Sequence, residues 1–159
     1  MREMSSDEAT GELASRCCAP VESEMWAMNE VELSVPHREF ETDRLAVVRV
    51  QMRIPHGIDP SPRQVYMGFA NDALASVGWP LVTVTVSETI AEQKGGPFVQ
   101  FIETDARCRR LGFATEIWEA LNERYGGKLI GEAGTWAGYL FLKSVGVTLP
   151  EADRSYFPP

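Results

Sequence analysis

Apolar and polar residues alternate in the first ordered-looking stretch of this chain. In "EVELSV", Val31, Leu33 and Val35 oppose Glu30, Glu32 and Ser34, the period of a half-buried strand. In "RLAVVRVQMRI", Val48, Val50, Met52 and Ile54 oppose Arg49, Gln51 and Arg53, which predicts a second amphipathic strand. "PHGIDPSPRQ" breaks the alternation. Ser61 then suits an N-cap and Pro62 the first helical position, and Val65, Phe69, Ala73 and Val77 recur at helical spacing until Gly78. These signals predict a helix. "PLVTVTVSE" is β-branched and strictly alternating, "QKGG" is a turn, and "PFVQFIETD" is the next strand. From Gly112 the period changes again: Phe113, Ile117 and Leu121 form one stripe, with Ala114, Trp118 and Tyr125 beside it, and Gly126 and Gly127 end a helix. "KLIGE" is a short strand, and Thr135 caps a last helix through "WAGYLFLKSV", closed by Gly146. The predicted order is β-β-α-β-β-α-β-α, with a short Pro-bounded tail.

Composition narrows the class. A chain of 159 residues, 44% hydrophobic and 24% charged, is long enough for one well-packed domain. Residues 1–27 are polar, acidic and weakly periodic and read as a mobile N-terminal arm, leaving residues 28–159 as a single domain. No apolar run approaches the roughly 20 residues of a membrane span, and the N-terminus lacks the apolar region of a signal peptide. The three cysteines, Cys17, Cys18 and Cys108, cannot all pair within the chain, and free thiols point to a reducing cytoplasm. With no C-x-x-C and only His37 and His56 as histidines, no metal site is expected. A formal charge of −8 argues against a large nucleic-acid surface and favours cationic partners, or simply solubility.

Against that acidity, "DARCRRLGFAT" concentrates Arg107, Arg109 and Arg110 just before a glycine and a helix. A strand, a basic glycine-containing turn and a helix make a local anion site, because the first N–H groups of the helix are unpaired and carry the positive end of its dipole. Neither a G-x-x-x-x-G-K-[ST] loop nor a G-x-G-x-x-G fingerprint is present, so both common nucleotide motifs are excluded.

"RRLGFAT", Arg109 to Thr115, resembles the R/Q-x-x-G-x-G/A signature of the GNAT superfamily of acyl-CoA-dependent N-acyltransferases. Its position between a strand and the following helix also matches. The downstream "TWAGYLFLKSVGV" is similar to the family's second pattern, N-x-x-A-x-x-x-Y-x-x-x-G-[FY], with Thr135 at the Asn position. The resemblance covers about residues 80–147. It implies an α/β (α+β) fold with a mixed, mostly antiparallel central sheet, splayed near Glu103 and Glu132, and helices on both faces. It also implies that Arg109, Arg110, Leu111, Gly112, Phe113, Ala114 and Thr115 cradle the pyrophosphate of acetyl-CoA or another acyl-CoA. The backbone of Ile102, Glu103 and Thr104 would pair with the pantetheine arm, and Thr135 would join the cofactor-binding set.

The sequence departs from the family in three places. The tyrosine that often protonates the leaving thiolate falls on Leu142, with Tyr139 one helical turn earlier. One helix, not two, is found between the early strands. Little chain remains after Gly146 for two terminal strands, so the N-terminal strands fill that space or a partner chain, as in a homodimer, completes the sheet. For a general base the candidates are Glu132, at the end of "KLIGE", and then Glu103. An ungapped match places the family's carboxylate on Ile130, two residues from Glu132 and on the same strand face. His37 and His56 each follow a proline, where surface histidines are common. A cysteine mechanism through Cys108 lacks a neighbouring His.

The expected activity is direct acyl transfer from acyl-CoA, most simply acetyl-CoA, to a primary amine, with a cationic small molecule or a basic peptide as acceptor. No nucleic acid, membrane or metal is expected. Two other readings are a GNAT-like acyl-CoA sensor or scaffold without turnover, and an interaction protein whose arginines meet an acidic partner.

Overall fold

The computed structural model describes residues 32–53, 61–71, 79–88 and 95–158. Within them the order is β1 (Glu32–Leu33), β2 (His37–Glu41), β3 (Leu45–Arg53), β4 (Arg63–Ala70), β5 (Val82–Ser87), β6 (Phe98–Thr104), α1 (Phe113–Arg124), β7 (Ile130–Gly131) and α2 (Trp136–Ser144). Short 3-10 turns lie at Ala106–Cys108 and Arg154–Tyr156. The N-terminal arm, His56 and the stretch from Asp72 to Gly78 lie outside the described residues.

The strands form one open, mixed sheet in the order β1-β3-β4-β5-β6-β7, with β2 also paired to β3. Every pairing is antiparallel except β6 with β7, which is parallel. The described residues therefore form an α+β arrangement with the mixed, mostly antiparallel sheet that was expected. One face of the sheet, through Leu45, Val47, Tyr66, Val82, Val84, Val86 and Val99, packs against Ile117, Trp118 and Leu121 of α1. Those helix positions are the expected stripe, and each is essentially closed to solvent.

The expected helix beginning at Ser61 is instead the strand β4. Val65 and Phe69 share a face in either conformation, because a spacing of four satisfies both the 3.6-residue and the 2-residue period. Tertiary pairing decides. β4 is hydrogen-bonded along its length to β3 on one side and β5 on the other, and Gln64 to Phe69 are buried throughout. A central strand buried on both faces loses the alternation by which strands are recognised. Gly68 permits the fit, since a Cβ there would stand 2.9 Å from Val82 Cγ1 and 3.2 Å from Leu45 Cδ1.

The early strands also differ from expectation. His37 opens β2 rather than sitting in a loop, and β1 and β2 both border β3, at the opposite edge of the sheet from β7. They do not fill the space beyond β7. Among the described residues, no strand pairs with the outer edge of β7.

Candidate functional site

The basic turn is built by local chemistry. Asp105 caps the first 3-10 turn and takes the Arg107 guanidinium on both oxygens, at 2.9 and 3.0 Å. Side-chain and then backbone hydrogen bonds from Arg107 hold the Asp105 carboxyl down to about 2. Arg107 is thus neutralised within the turn. Arg109 and Arg110 make no side-chain hydrogen bond or ion pair with the described residues, and both are exposed. Arg110 has φ +64°, alone among the described non-glycine residues in being left-handed, and Gly112 follows at φ +86°. A branched or bulky side chain at Gly112 would be strained there, and left-handed non-glycine residues concentrate at ligand clamps. The turn delivers Gly112 as the N-cap of α1 without any side-chain cap. Among the described residues, the N–H groups of Phe113, Ala114 and Thr115 therefore have no acceptor.

Arg44, from the β2–β3 turn, stands over this loop. Its Nη1 donates to the Leu111 carbonyl at 2.9 Å, its guanidinium lies 4.5 Å from the Phe113 ring centre, and its Nη2 is 3.3 Å from where a Gly112 Cβ would be. It is held by Glu116, which accepts from Arg44 Nε at 2.6 Å, from the Arg44 backbone at 3.0 Å and from the Thr42 hydroxyl. Burial alone would raise the Glu116 carboxyl, but these hydrogen bonds and the Arg44 charge outweigh it and lower the pKa. The stretch from Arg109 to Thr115 thus holds two exposed arginines and the unpaired first N–H groups of α1, with Arg44 against Leu111 and Phe113.

β6 leads into that loop and parts from β7. Their pairing is limited to Phe98 with Ile130 and Val99 with Gly131, whereas β6 continues to Thr104 against β5 alone. A bulge between the Thr85 and Val86 pairings falls at Gln100, where the parting begins. Bulges re-aim side chains and end pairing, and they recur beside active sites. The side-chain oxygen of Gln100 is buried with no hydrogen-bond partner among the described residues. Ile102, Glu103 and Thr104 lie along the unpaired side of β6, with Glu103 exposed opposite Thr83. Glu132 directly follows β7 and is exposed, level with Gln100 if the register is continued. Glu103 is three residues further along β6, about 10 Å at strand rise. The two carboxylates thus flank one opening without adjoining each other.

The α2 candidates have structural duties. Thr135 caps α2, its hydroxyl accepting from the Gly138 N–H at 3.1 Å. Tyr139 is buried. Its hydroxyl donates to the Pro150 carbonyl and accepts from the Ala152 N–H, each at 3.2 Å, and its ring stacks on Trp136 at 5.2 Å. The hydroxyl is therefore committed to the C-terminal segment. Leu142, at the position expected for an acidic tyrosine, is packed in the core against Gly131. Trp118 is core as expected, edge-on to Phe141.

A cavity of about 480 Å³ opens between β7 and the C-terminal segment from Val147 to Pro150, floored by Trp118. Sequence reading missed this cavity, Gln100 and Arg44. Arg44 carried no signal because its partner Glu116 is 72 positions away. Comparison with protein-family models, with curated proteins and with solved structures returned no match.

Proposed function

We propose that this chain is an acyl-CoA-dependent N-acyltransferase of the GNAT type, moving an acyl group, most simply acetyl, to a primary amine by direct transfer. One observation supports the reading: the positive-φ residues Arg110 and Gly112 lead into α1, whose first N–H groups have no acceptor among the described residues, just after the strand β6 that pairs in parallel with β7. A diphosphate fits that cradle chemically, since it meets backbone donors, a positive helix end and guanidinium groups together. Among the described residues a Cβ at Gly112 would meet Arg44 alone, and the glycine leaves the backbone there open to a ligand. Arg110 to Thr115 would hold the coenzyme's pyrophosphate, Arg109 would add charge, and the unpaired side of β6 at Ile102 to Thr104 would take its amide-bearing arm. Coenzyme A would supply the acyl group as a thioester. At the parting of β6 and β7, Glu132 would accept the proton of the amine, with Glu103 the second candidate.

Acetyl-CoA at 100 times its Kd should stabilise the fold by about 2.7 kcal/mol, read as a thermal shift. Gly112→Val should remove that shift and leave a folded protein weakened by about 1–2 kcal/mol of backbone strain. An undiminished shift in the variant would exclude the loop as the coenzyme site. Glu132→Gln should lower thiol release from acetyl-CoA by roughly 10²–10⁴ with coenzyme binding intact.

The burial of Leu142 and the engaged hydroxyl of Tyr139 favour a second reading, a GNAT-like protein that binds acyl-CoA without turnover. Coenzyme binding with no thiol release across an amine panel would select it. Absence of coenzyme binding would leave an interaction protein whose arginines face an acidic partner.

A further inference from the structure

Alternation breaks once in β6, and the break sorts its side chains. Val99 pairs with Val86 on the face packed against α1, but beyond the bulge Phe101 pairs with Thr85 and Glu103 with Thr83. Cross-strand partners share a face, and Thr83 and Thr85 alternate with the core residues Val82, Val84 and Val86. Without the extra residue Gln100, Phe101 and Glu103 would share the face of Val99. Instead Ile102 packs on the core, and Phe101 and Glu103 stand on the opposite face. Phe101 is 59% exposed there, and Glu103 is exposed beside it. Phe101, Glu103 and Thr83 make no side-chain hydrogen bond, ion pair or ring contact with described residues. A bulge that turns a phenylalanine out of the core forgoes its burial, and bulges re-aim side chains beside active sites. The result is an aromatic ring and an unpaired carboxylate two residues, about 7 Å, apart on one strand face.

We infer that this patch holds the second, non-reacting ammonium of a linear diamine acceptor, whose methylene chain lies over Phe101. The inference rests on the acyl-transfer reading for the amine that reacts, which would sit where β6 and β7 part, and on the patch alone for the rest. Glu103 lies three residues, about 10 Å, along β6 from that parting. An extended alkyl chain together with the glutamate side chain spans the distance. The ammonium would meet the Glu103 carboxylate and the hydroxyl of Thr83, the residue directly across the strand pair. The chain gains by leaving water against the ring, and the cation is drawn to the ring face. The net charge of −8 favours a dication over a monocation everywhere on the surface. A local carboxylate makes that preference depend on one residue.

The test is titration of the full chain, without coenzyme, by 1,5-diaminopentane and by pentylamine, followed through amide NMR shifts. The diamine should bind about fivefold more tightly and shift the amides of Phe101 to Thr104. Glu103→Gln should bring it within about twofold of pentylamine. Glu119→Gln removes an equal charge at an exposed position of α1 and should keep the preference. Phe101→Ala should weaken both amines about threefold. Equal affinities for the unaltered chain, a preference that survives Glu103→Gln, or one lost equally in both glutamate variants would overturn the proposal. Turnover separates it from the reading it rests on. Binding as expected with no thiol release from acetyl-CoA keeps the patch and removes acyl transfer. Thiol release with both amines, in a ratio that Glu103→Gln leaves unchanged, keeps acyl transfer and removes the patch.

Discussion

The side-chain oxygen of Gln100 is shut away from solvent without a donor among the described residues, at the bulge where β6 begins to leave β7. An unmet buried acceptor costs about 1–3 kcal/mol, and such groups persist where function needs them. Gln100→Leu should therefore stabilise the fold by up to about 1 kcal/mol in urea titration while lowering acyl transfer at least tenfold. Loss of stability together with full activity would mean that the oxygen has a structural partner and no role at the site. Arg110 belongs to the same category. Its positive φ is a local cost with no compensating contact of its own among the described residues, beside the glycine that caps α1.

At the scale of elements, the N-terminus of α1 is bolted to the β2–β3 turn by Glu116, Thr42 and Arg44. Glu39 does the same for the other end of α1, accepting from Arg124 at 2.5 Å and from Arg49 at 3.0 Å. For Glu39 too, burial pushes the pKa up, but hydrogen bonds from Arg49 and His37 and the nearby guanidinium charges bring it below 4.5. Carboxyls lowered by folding contribute stability that is present above their unfolded pKa and lost as pH falls through the folded value. Unfolding free energy should accordingly hold steady near neutrality and decline below about pH 4.5. Glu116→Gln should cost about 2 kcal/mol at pH 7 and progressively less as pH falls through the lowered folded pKa of the native carboxyl. A pH-independent loss, followed by denaturant titration, would place the stabilisation in packing rather than charge. The elements themselves were unevenly legible. α1 announced its stripe and its glycine end locally, α2 its Thr135 cap, and β3 and β5 their alternation. β4 carried a helix-compatible spacing, and its strand conformation comes from neighbours on both sides.

For the whole molecule, the charge of −8 sits against a site whose basic groups gather at one loop. A field of that sign speeds encounter with cations, and salt screens it over about 10 Å at 0.1 M. For a cationic amine, kcat/KM should fall as ionic strength rises while kcat changes little, and a neutral amine should show no such slope. Equal slopes for the two would leave the charge with solubility as its only effect. No helix among the described residues is long and apolar enough to cross a membrane.

Local sequence determined the two described α-helices, the cap at Thr135, three of the long strands and the basic turn, because each depends on residues within a few positions of one another. Tertiary structure decided the rest. It made β4 a strand, sent β1 and β2 to the edge away from β7, engaged the Tyr139 hydroxyl with the C-terminal segment, and brought Arg44 over Gly112. It also opened the cavity beside β7, whose lining runs from Phe98 to Pro150. Periodicity records which face of an element is buried. It does not record which partner buries it, and the position of β4, the role of Tyr139 and the cavity all follow from the partner.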